Sequence, residues 1–309
     1  MKTTISPFSN SKLIPYLTCK DYTVSRETFS LLKDKELEML ITLPKPSLEN
    51  LPKYYESEDY ISHTDSDKNF IDRLYQKAKN YSIKQKIKLI RKHKTQNTKL
   101  QTPNSLLDIG CGTGDFLSAC QNNGYTIVGV EPNKKARVLS KSKLGILTSN
   151  SENYNNLHPK VYDSINVIEN QQFDVITMWH VLEHVPNLEE YIKQVKELLK
   201  PNGTLFIAVP NYKSYDANHY KEFWAAFDVP RHLWHFSKKS IKVLFEKENF
   251  SIKKIMPMKL DSFYVSLLSE KYKTGKSKLI KAFFIGLLSN IKAISTKEYS
   301  SLIYIIKNK

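Results

Sequence analysis

The stretch Ser105–Gly114, SLLDIGCGTG, decides the fold. Its first five residues have the composition of a short buried strand, with Asp108 near the end, and the turn that follows contains Gly110, Gly112 and Gly114. A strand that runs through a glycine-rich turn into a helix is the first unit of a doubly wound sheet, whose ligands bind at the carboxyl ends of the strands. Because glycine lacks a side chain, a ligand can approach this turn closely. The stretch therefore predicts a ligand-binding turn at the edge of a parallel sheet.

Strands and helices are predicted to alternate from this stretch to the C-terminus. Further strands are predicted at Thr126–Val130, Ile146–Thr148, Phe173–Met178, Thr204–Val209, Ile252–Pro257 and Ser301–Ile306. Helices are predicted at Asp115–Asn122, Asn133–Lys143, Asn187–Lys200 and Ser237–Glu248. This alternation is typical of an α/β sheet with helices on both faces. The prediction is one doubly wound domain over residues 101–309.

Residues 1–100 are predicted to form an N-terminal cap of their own. They contain no glycine, and apolar residues at helical spacing over Lys68–Lys92 predict a long amphipathic helix. The polar stretch at 93–104, HKTQNTKLQTPN, has the composition of a linker. This linker places the domain boundary near residue 100.

The chain has a formal net charge of +16, and lysine supplies nearly all of its positive side chains. Arginine, whose planar fork reads bases and phosphates, occurs at only five positions. A basic surface favours anionic substrates or partners. Because no recognition motif accompanies the charge, we expect no specific nucleic-acid partner.

The cysteines and the apolar segments of the sequence indicate where in the cell the protein is expected. Cys19, Cys111 and Cys120 form no C-x-x-C pair, which favours a reducing cytoplasm, and the N-terminus lacks the apolar core of a signal peptide. The segment Leu279–Leu288, LIKAFFIGLL, is interrupted by Lys281 and is too short to span a bilayer. We expect a cytoplasmic protein without a transmembrane segment, and peripheral membrane contact through this segment stays open.

The residue after the third glycine of the turn distinguishes between ligands. A dinucleotide fingerprint, G-x-G-x-x-G, needs glycine at position 115, where this chain has Asp115. An acidic side chain at a helix N-terminus would face the pyrophosphate of NAD, which is unfavourable. The turn suits a ligand that has no phosphate and carries a positive amine, and S-adenosylmethionine is such a ligand.

The ordered motifs over residues 100–309 resemble those of class I S-adenosylmethionine-dependent methyltransferases. LLDIGCGTG looks like their first motif, VGVEPN (128–133) their second, FDVITMWHVLEHV (173–185) their fourth-strand motif and LLKPNGTLFIAVPN (198–211) their fifth. WAAFDVPRHLWHFS (224–237) resembles a bacterial branch near the ubiquinone-type O-methyltransferases. The resemblance implies a seven-stranded, Rossmann-like sheet with an antiparallel last strand, and S-adenosylmethionine as the cofactor.

The resemblance also implies a cofactor site, position by position. Asp108 would lie near the methionyl amine, and the carboxylate of Glu131 would accept both ribose hydroxyls. The acid that contacts adenine in many relatives has no obvious equivalent, and Ser151 or Glu152 would serve instead. The predicted cofactor residues are Asp108, Gly110, Cys111, Gly112, Gly114, Glu131, Pro132, Trp179 and His180.

The segment Trp179–Pro186, WHVLEHVP, contains the pattern H-x-x-E-H of one class of zinc protease. Pro186 ends any helix there after one turn, which excludes the long helix that such a protease needs. His180 is predicted to line the pocket near the transferable methyl or to act as a base, with simple packing as the alternative. Ubiquinone-type relatives carry E-x-x-E-H here, so His180, Glu183 and His184 are an alternative metal set, although no metal is the main expectation.

A second cluster of histidines and aromatic residues lies between the fifth strand and the next helix. It supplies His219, Trp224, Arg231 and His232 as predicted acceptor-binding residues, and His232 is also a candidate catalytic residue beside His180. Core packing is the alternative for the aromatic residues. The cap would add Tyr60 to the acceptor site, and Tyr54 and Tyr55 are further candidates for a lid.

The cap keeps the outline of a small zinc ribbon that related proteins carry, but it lacks the ligands. The expected C-x-x-C falls on Asp34 and Leu37, so no structural zinc is expected and the cap should be held by apolar packing.

The sequence thus predicts a methyltransferase that acts on an oxygen of a small molecule, a lipid-like quinone precursor or a glycan sugar. A protein or RNA methyltransferase, or a binding protein that has lost catalysis, are the alternatives.

Overall fold

A computed structural model describes residues 4–56, 70–93, 104–146 and 159–309, and for residues 70–75 it describes only the backbone. The strands are β1 (Ile14–Lys20), β2 (Thr28–Asp34), β3 (Met39–Leu43), β4 (Ser105–Ile109), β5 (Thr126–Val130), β6 (Lys160–Tyr162), β7 (Phe173–Trp179), β8 (Leu199–Pro210), β9 (Trp234–His235), β10 (Phe250–Pro257) and β11 (Ser301–Asn308). The helices are α1 (Phe70–His93), α2 (Asp115–Gln121), α3 (Lys134–Lys143), α4 (Leu188–Leu198), α5 (Tyr215–Tyr220), α6 (Lys238–Lys247), α7 (Asp261–Thr274) and α8 (Leu279–Thr296). Short 3₁₀ turns connect several of them.

The larger sheet has seven strands in the order β10–β11–β8–β7–β4–β5–β6. The strands from β8 to β6 are parallel, while β11 lies antiparallel between β8 and β10. Leu106, Leu107, Val175 and Ile176 of the two central strands are fully buried, as expected for strands covered on both faces. The predicted doubly wound sheet with an antiparallel last strand is therefore confirmed.

The third parallel strand is not where the sequence predicted it. The prediction was Ile146–Thr148, but Ile146 lies in the turn after α3, residues 147 and 148 fall outside the described ranges, and β6 occupies the third position. The strand β8 also begins earlier than the predicted strand Thr204–Val209, and it includes the segment KPNG at 200–203. There the pairing with β7 shifts between Phe173–Leu199 and Val175–Thr204, so the extra residues form a bulge rather than a separate turn.

The N-terminal region forms a second, antiparallel sheet that the sequence reading did not predict. Its order is β1–β2–β3–β9, and β9 comes from residues 234–235 of the C-terminal part. The sheet therefore crosses the predicted boundary near residue 100, and the division into residues 1–100 and 101–309 stays a prediction. The predicted long helix of this region is confirmed as α1.

Asp34, at the position where a zinc ribbon would be expected to have a ligand, holds the first turn of the chain. Its buried carboxylate accepts hydrogen bonds from the hydroxyls of Ser6 (2.5 Å) and Ser9 (2.7 Å) and from the backbone N–H of Leu37 (2.9 Å). These bonds, with burial opposing them, lower the pKa of Asp34. The expectation of apolar packing alone was therefore incomplete, since a charged hydrogen-bond centre adds to it.

The helices α7 and α8 form an insertion between β10 and β11. α8 runs on to Thr296, so the apolar segment is longer than Leu279–Leu288. By length and composition alone, this one helix of the described residues would be able to cross a membrane, and 28% of it is buried inside the protein.

Candidate active site

The glycine turn after β4 has the geometry of a ligand cradle. Gly110, Gly112 and Gly114 all have positive φ angles of 74°, 55° and 83°, which favour glycine. A Cβ atom at Gly110 would lie 2.4 Å from Val181 Cγ2, and one at Gly114 would lie 2.6 Å from Ser140 Oγ. At Gly112 a Cβ atom would meet no described atom within 4 Å. The backbone of Gly112 therefore faces open space that a ligand can fill.

Glu131 follows β5 and braces this turn. Its carboxylate accepts hydrogen bonds from the backbone N–H of Gly112 (2.8 Å) and from that of Asn133 (2.8 Å), one on each oxygen. Burial raises the pKa of Glu131, while these two bonds and Arg137 oppose the shift. Each oxygen keeps a second lone pair, so the carboxylate retains the capacity to accept the two hydroxyls of a ribose.

Asp108 lies beneath the turn and is 2% exposed. It accepts a hydrogen bond from Thr177 Oγ1 at 2.6 Å. Burial raises the pKa of Asp108 to about 7, although the Thr177 bond and the charge of Lys86 oppose the rise. A buried carboxyl with this pKa binds a cationic amine most favourably once it is deprotonated.

Lys86 of α1 is a site residue that the sequence reading missed. Its ammonium lies 4.4 Å from the centre of the Trp179 ring and interacts with the charges of Asp108 and Asp261. Burial lowers the pKa of Lys86, and the two carboxylates oppose this shift. The feature of the sequence that could have identified Lys86 is its place on the inward face of an amphipathic helix, one residue before the buried Ile87.

Asp163 is a second residue that was missed. It follows β6 directly and is exposed at the carboxyl end of that strand, where related folds bind ligands. A prediction of the third strand at Lys160–Tyr162, instead of Ile146–Thr148, would have identified Asp163 as the acid at its carboxyl end. The earlier candidates for the adenine contact, Ser151 and Glu152, lie outside the described residues.

Three further predicted cofactor residues lie around the turn. Cys111 is buried with its Sγ 3.8 Å from Ser140 Oγ, and burial raises its pKa, so its thiol is not reactive. Trp179 packs edge-on against Phe116, with ring centres 5.6 Å apart, and its indole N–H has no acceptor among the described residues. The carbonyl of Pro132 accepts a hydrogen bond from Arg137.

His180 begins the turn after β7 with a positive φ of 59°. Its Nε2 lies 3.1 Å from an Asp261 oxygen, and its Nδ1 lies 3.4 Å from Glu183 Oε1. Burial opposes protonation, but these two carboxylates outweigh it and raise the pKa of His180 to about 10. His180 is therefore an imidazolium at neutral pH, and the predicted role as a general base does not fit. Its role as a pocket wall stays a prediction.

Glu183 is the most unusual side chain of this turn. It is 1% exposed, and neither carboxylate oxygen has a hydrogen-bond partner among the described residues. Burial would raise its pKa, but the adjacent His180 and the charge of His232 lower it on balance. The contact with His180 at 3.4 Å leaves both carboxylate oxygens without a hydrogen bond, so this buried group is expected to bind a further ligand.

Two histidines complete a cluster with Glu183. Nδ1 of His184 lies 3.1 Å from the carbonyl oxygen of Arg231, and Nδ1 of His232 lies 2.9 Å from that of Ala226. A carbonyl oxygen only accepts, so each Nδ1 carries a proton and donates it. Burial, aided by the charge of His232, lowers the pKa of His184 to about 4, so its Nε2 holds a lone pair at neutral pH.

The cluster fits a divalent cation. One candidate ligand atom from each of Glu183, His184 and His232 lies within 4.8 Å of the others. Carboxylate and imidazole ligands suit several divalent metals, and metal-binding histidines donate their other N–H to carbonyl groups in this way. The set differs from the predicted alternative of His180, Glu183 and His184, because His180 is paired with Asp261 and His232 takes its place.

Arg231 was predicted to bind the acceptor, but the structure places it elsewhere. Its guanidinium is 1% exposed and donates to Asp21 (2.9 Å), to Asp228 (2.9 and 2.7 Å) and to the carbonyl of Tyr54 (2.9 Å). These partners occupy the guanidinium and hold it in the interior. Arg231 therefore joins the N-terminal region to the C-terminal part and is not available to a substrate.

The other predicted acceptor residues have different positions. Trp224 is buried, and its Nε1 donates to Asp216 at 2.8 Å, so it belongs to the core rather than to the acceptor site. His219 packs against Tyr220 on α5, and no described contact links it to the Glu183 cluster. His232 lies in that cluster, as described above. Tyr60 falls outside the described residues.

The fold and the site together define a class of protein. A seven-stranded sheet with an antiparallel last strand, an open glycine turn and acids at the ends of β4 and β5 is the architecture of an enzyme that uses S-adenosylmethionine. A family model described as a methyltransferase domain matches residues 75–255, which is more than half of the chain. The chain belongs to this family of S-adenosylmethionine-dependent methyltransferases.

The individual proteins that resemble this chain share about a third of its residues over the matched segments. The ubiquinone biosynthesis O-methyltransferase of Coxiella burnetii is 32% identical over 114 residues, which cover 36% of this chain and 46% of that protein. The enzyme of the same name from Pelagibacter ubique is 30% identical over 182 residues, 54% of this chain and 68% of that protein. The chain thus spans about half the length of the first of these relatives.

Solved structures share the fold at low identity. The magnesium protoporphyrin IX methyltransferase of Synechocystis, crystallised with S-adenosylhomocysteine, superposes with a TM-score of 0.51 at 13% identity. The match covers 80% of this chain and 91% of that one. At this identity the likeness supports the fold alone.

Proposed function

We propose that the protein transfers a methyl group from S-adenosylmethionine to an oxygen of a small hydroxylated acceptor. The observation that carries this proposal is the buried Glu183 carboxylate, which accepts no hydrogen bond from the described residues and lies beside His184 and His232. A lipid-like quinone precursor is the acceptor class that we favour, because the curated relatives are named as ubiquinone biosynthesis O-methyltransferases.

The cluster is suited to hold a hydroxyl group. Glu183 and the neutral ring of His184 offer lone pairs, so their ligand has to bring a proton or a positive charge. A hydroxyl meets this need, and once it donates to the cluster its oxygen becomes a better nucleophile. Methyl transfer from a sulfonium needs chiefly alignment and exclusion of water, which a buried cluster near the cofactor turn provides.

A divalent cation held by Glu183, His184 and His232 would supply a Lewis acid that lowers the pKa of a bound hydroxyl. The protein residues act in the same direction with or without it. They orient the acceptor oxygen, and the imidazolium of His180 adds a fixed positive charge beside Glu183.

The test is transfer of a tritiated methyl group from S-adenosylmethionine into separate lipid, small-molecule, RNA and protein fractions. We expect label in the lipid or small-molecule fraction. Glu183→Gln should lower turnover by about a hundredfold, because it removes the charge that accepts the proton. The affinity for S-adenosylhomocysteine should not change, since Glu183 does not touch the glycine turn.

Glu190→Gln is the matched control, because Glu190 is exposed on α4 and should leave turnover unchanged. Label in RNA or protein alone would contradict the proposed acceptor class. Full turnover by Glu183→Gln would contradict the proposed role of the cluster. Equilibrium dialysis of the protein and of this variant against zinc or magnesium ions measures the cation separately from activity.

A further inference from the structure

The outer face of α8 is apolar along its whole length. Seven large apolar side chains are exposed there: Leu279, Ile280, Phe283, Phe284, Leu288, Ile291 and Ile294. Most of them recur at intervals of three or four residues, so they form one stripe on the helix. Single exposed apolar residues are common, but a contiguous stripe of this size marks a surface for a partner.

The inner face of α8 is committed to the protein. Ser289 Oγ donates to the buried Asp216 at 2.6 Å, and Ser262 Oγ of α7 donates to the carbonyl of Gly286 at 3.0 Å. A Cβ atom at Gly286 would lie 2.9 Å from the Cα of Phe263, so the two helices pack closely. If α8 crossed a membrane it would lose these contacts. Only its outer face is therefore available to lipid.

Positive charge surrounds the apolar stripe. The stretch Lys271–Lys297 contains seven lysines and no acidic residue. Lys281 pairs with Glu270 at 2.8 Å. Four exposed lysines near the start of α8 form no ion pair within the described residues: Lys271, Lys273, Lys276 and Lys278. An apolar helix face bordered by unpaired lysines is complementary to the headgroups and acyl chains of an anionic bilayer.

We propose that α8 docks the protein on an anionic membrane surface. The helix lies in the plane of the bilayer, with Phe283 and Phe284 in the acyl region and the lysines at the level of the phosphates. A second copy of the chain is a poorer partner for this face. Pairing of two α8 helices would bring their lysine-rich segments together without acidic residues between them, and such like charges repel.

The docking helix belongs to the same helix pair that borders the candidate active site. α7, which packs on the inner face of α8 at Gly286, begins at Asp261, and that carboxylate contacts His180. Docking would thus bring the acceptor side of the site close to the lipid. The inference goes beyond the proposed reaction, because membrane binding requires neither cofactor nor turnover.

The test is co-sedimentation of the full chain with vesicles of phosphatidylcholine alone and of phosphatidylcholine mixed equally with phosphatidylglycerol. We expect binding to the anionic vesicles that weakens as salt is added. Phe283→Ser with Phe284→Ser should lower the vesicle partition coefficient by about tenfold or more, because two large apolar groups no longer enter the bilayer. Binding by this double variant at the wild-type level would overturn the proposal.

Val167→Ser with Val243→Ser is the matched control, because both valines are exposed elsewhere, at 50% and 40%. This control should bind as the wild type does. Lys276→Glu with Lys278→Glu tests the charge without touching the apolar stripe, and it should lose the preference for anionic vesicles. If the wild type stays in the supernatant with both vesicle types, the proposal is wrong. A dimer in sedimentation velocity that the phenylalanine variant dissolves would assign the face to a second copy instead.

Discussion

Replacing Glu131 with alanine should weaken the binding of S-adenosylmethionine by about ten- to a hundredfold, or about 1.4–2.8 kcal/mol. The carboxylate is placed by two backbone N–H groups at 2.8 Å, one from Gly112 and one from Asn133. Its remaining lone pairs have the capacity to accept the two ribose hydroxyls. A hydrogen bond to a charged acceptor contributes about 1.5–3 kcal/mol, and water in the space that alanine leaves recovers part of the loss of two such bonds.

The variant should also be slightly less stable. Gly112 and Asn133 lose their acceptor, but Glu131 is only partly buried, so water can replace it at a cost of about 1 kcal/mol. This change corresponds to a fall of a few degrees in the unfolding midpoint. The affinity loss should therefore persist at temperatures where the variant is fully folded.

Titration calorimetry with S-adenosylhomocysteine measures the affinity without turnover. Glu190→Ala, on the exposed side of α4, is the control and should bind as the wild type does. An unchanged dissociation constant for the folded Glu131→Ala protein would refute the assignment of the ribose site.

Three other predictions follow from the same geometry. The affinity for S-adenosylmethionine should fall about tenfold from pH 8 to pH 6, because Asp108, with a pKa of about 7, must lose its proton to bind the cationic amine. Calorimetry at several pH values measures this change, and an affinity that does not vary with pH would contradict the reasoning. Gly112→Ala should abolish cofactor binding with a modest loss of thermal stability, whereas Gly110→Ala, whose Cβ meets Val181 at 2.4 Å, should lose more stability. Thermal melts with and without S-adenosylhomocysteine separate the loss of binding from the loss of stability. Arg231→Leu should lower the free energy of unfolding, measured in urea, by about 3–5 kcal/mol, because it leaves the buried Asp21 without the guanidinium. A variant as stable as the wild type would contradict the role of this buried ion pair.

The sequence predicts best the parts of the molecule that short segments determine. Asp108 and the three glycines lie within one strand–turn unit, and Glu131 directly follows the next strand, so local pattern alone locates them. The strand β6 was misplaced because it has three residues, only one of which is buried, and so leaves no periodic signal. Segments of that length are fixed by the neighbouring strand rather than by their own composition.

The long-range contacts account for the wrong residue roles. Arg231 meets Asp21, which lies 210 positions earlier in the chain, and nothing near either residue announces the pair. A buried arginine and a substrate-binding arginine have the same local sequence signal. The same holds for His180, which would be a base near neutral pH on its own. It becomes an imidazolium because α7 brings Asp261 to 3.1 Å and Glu183 lies on its other side.

These contacts also change the expected role of the N-terminal region from a lid to a fixed wall. Tyr55 OH lies 2.9 Å from Nδ1 of His184, so the region reaches the candidate acceptor cluster directly. The carbonyl of the adjacent Tyr54 is bound by Arg231, whose other partners, Asp21 and Asp228, lie on either side of the contact. Separating the two parts here would remove Asp21 and the Tyr54 carbonyl from the buried guanidinium, at a cost of about 3–5 kcal/mol. Opening at this contact is therefore rare, and an acceptor is expected to enter the cluster from another side. The membrane proposal places the side near α7 and α8 next to lipid, so we expect a lipid-like acceptor to enter there.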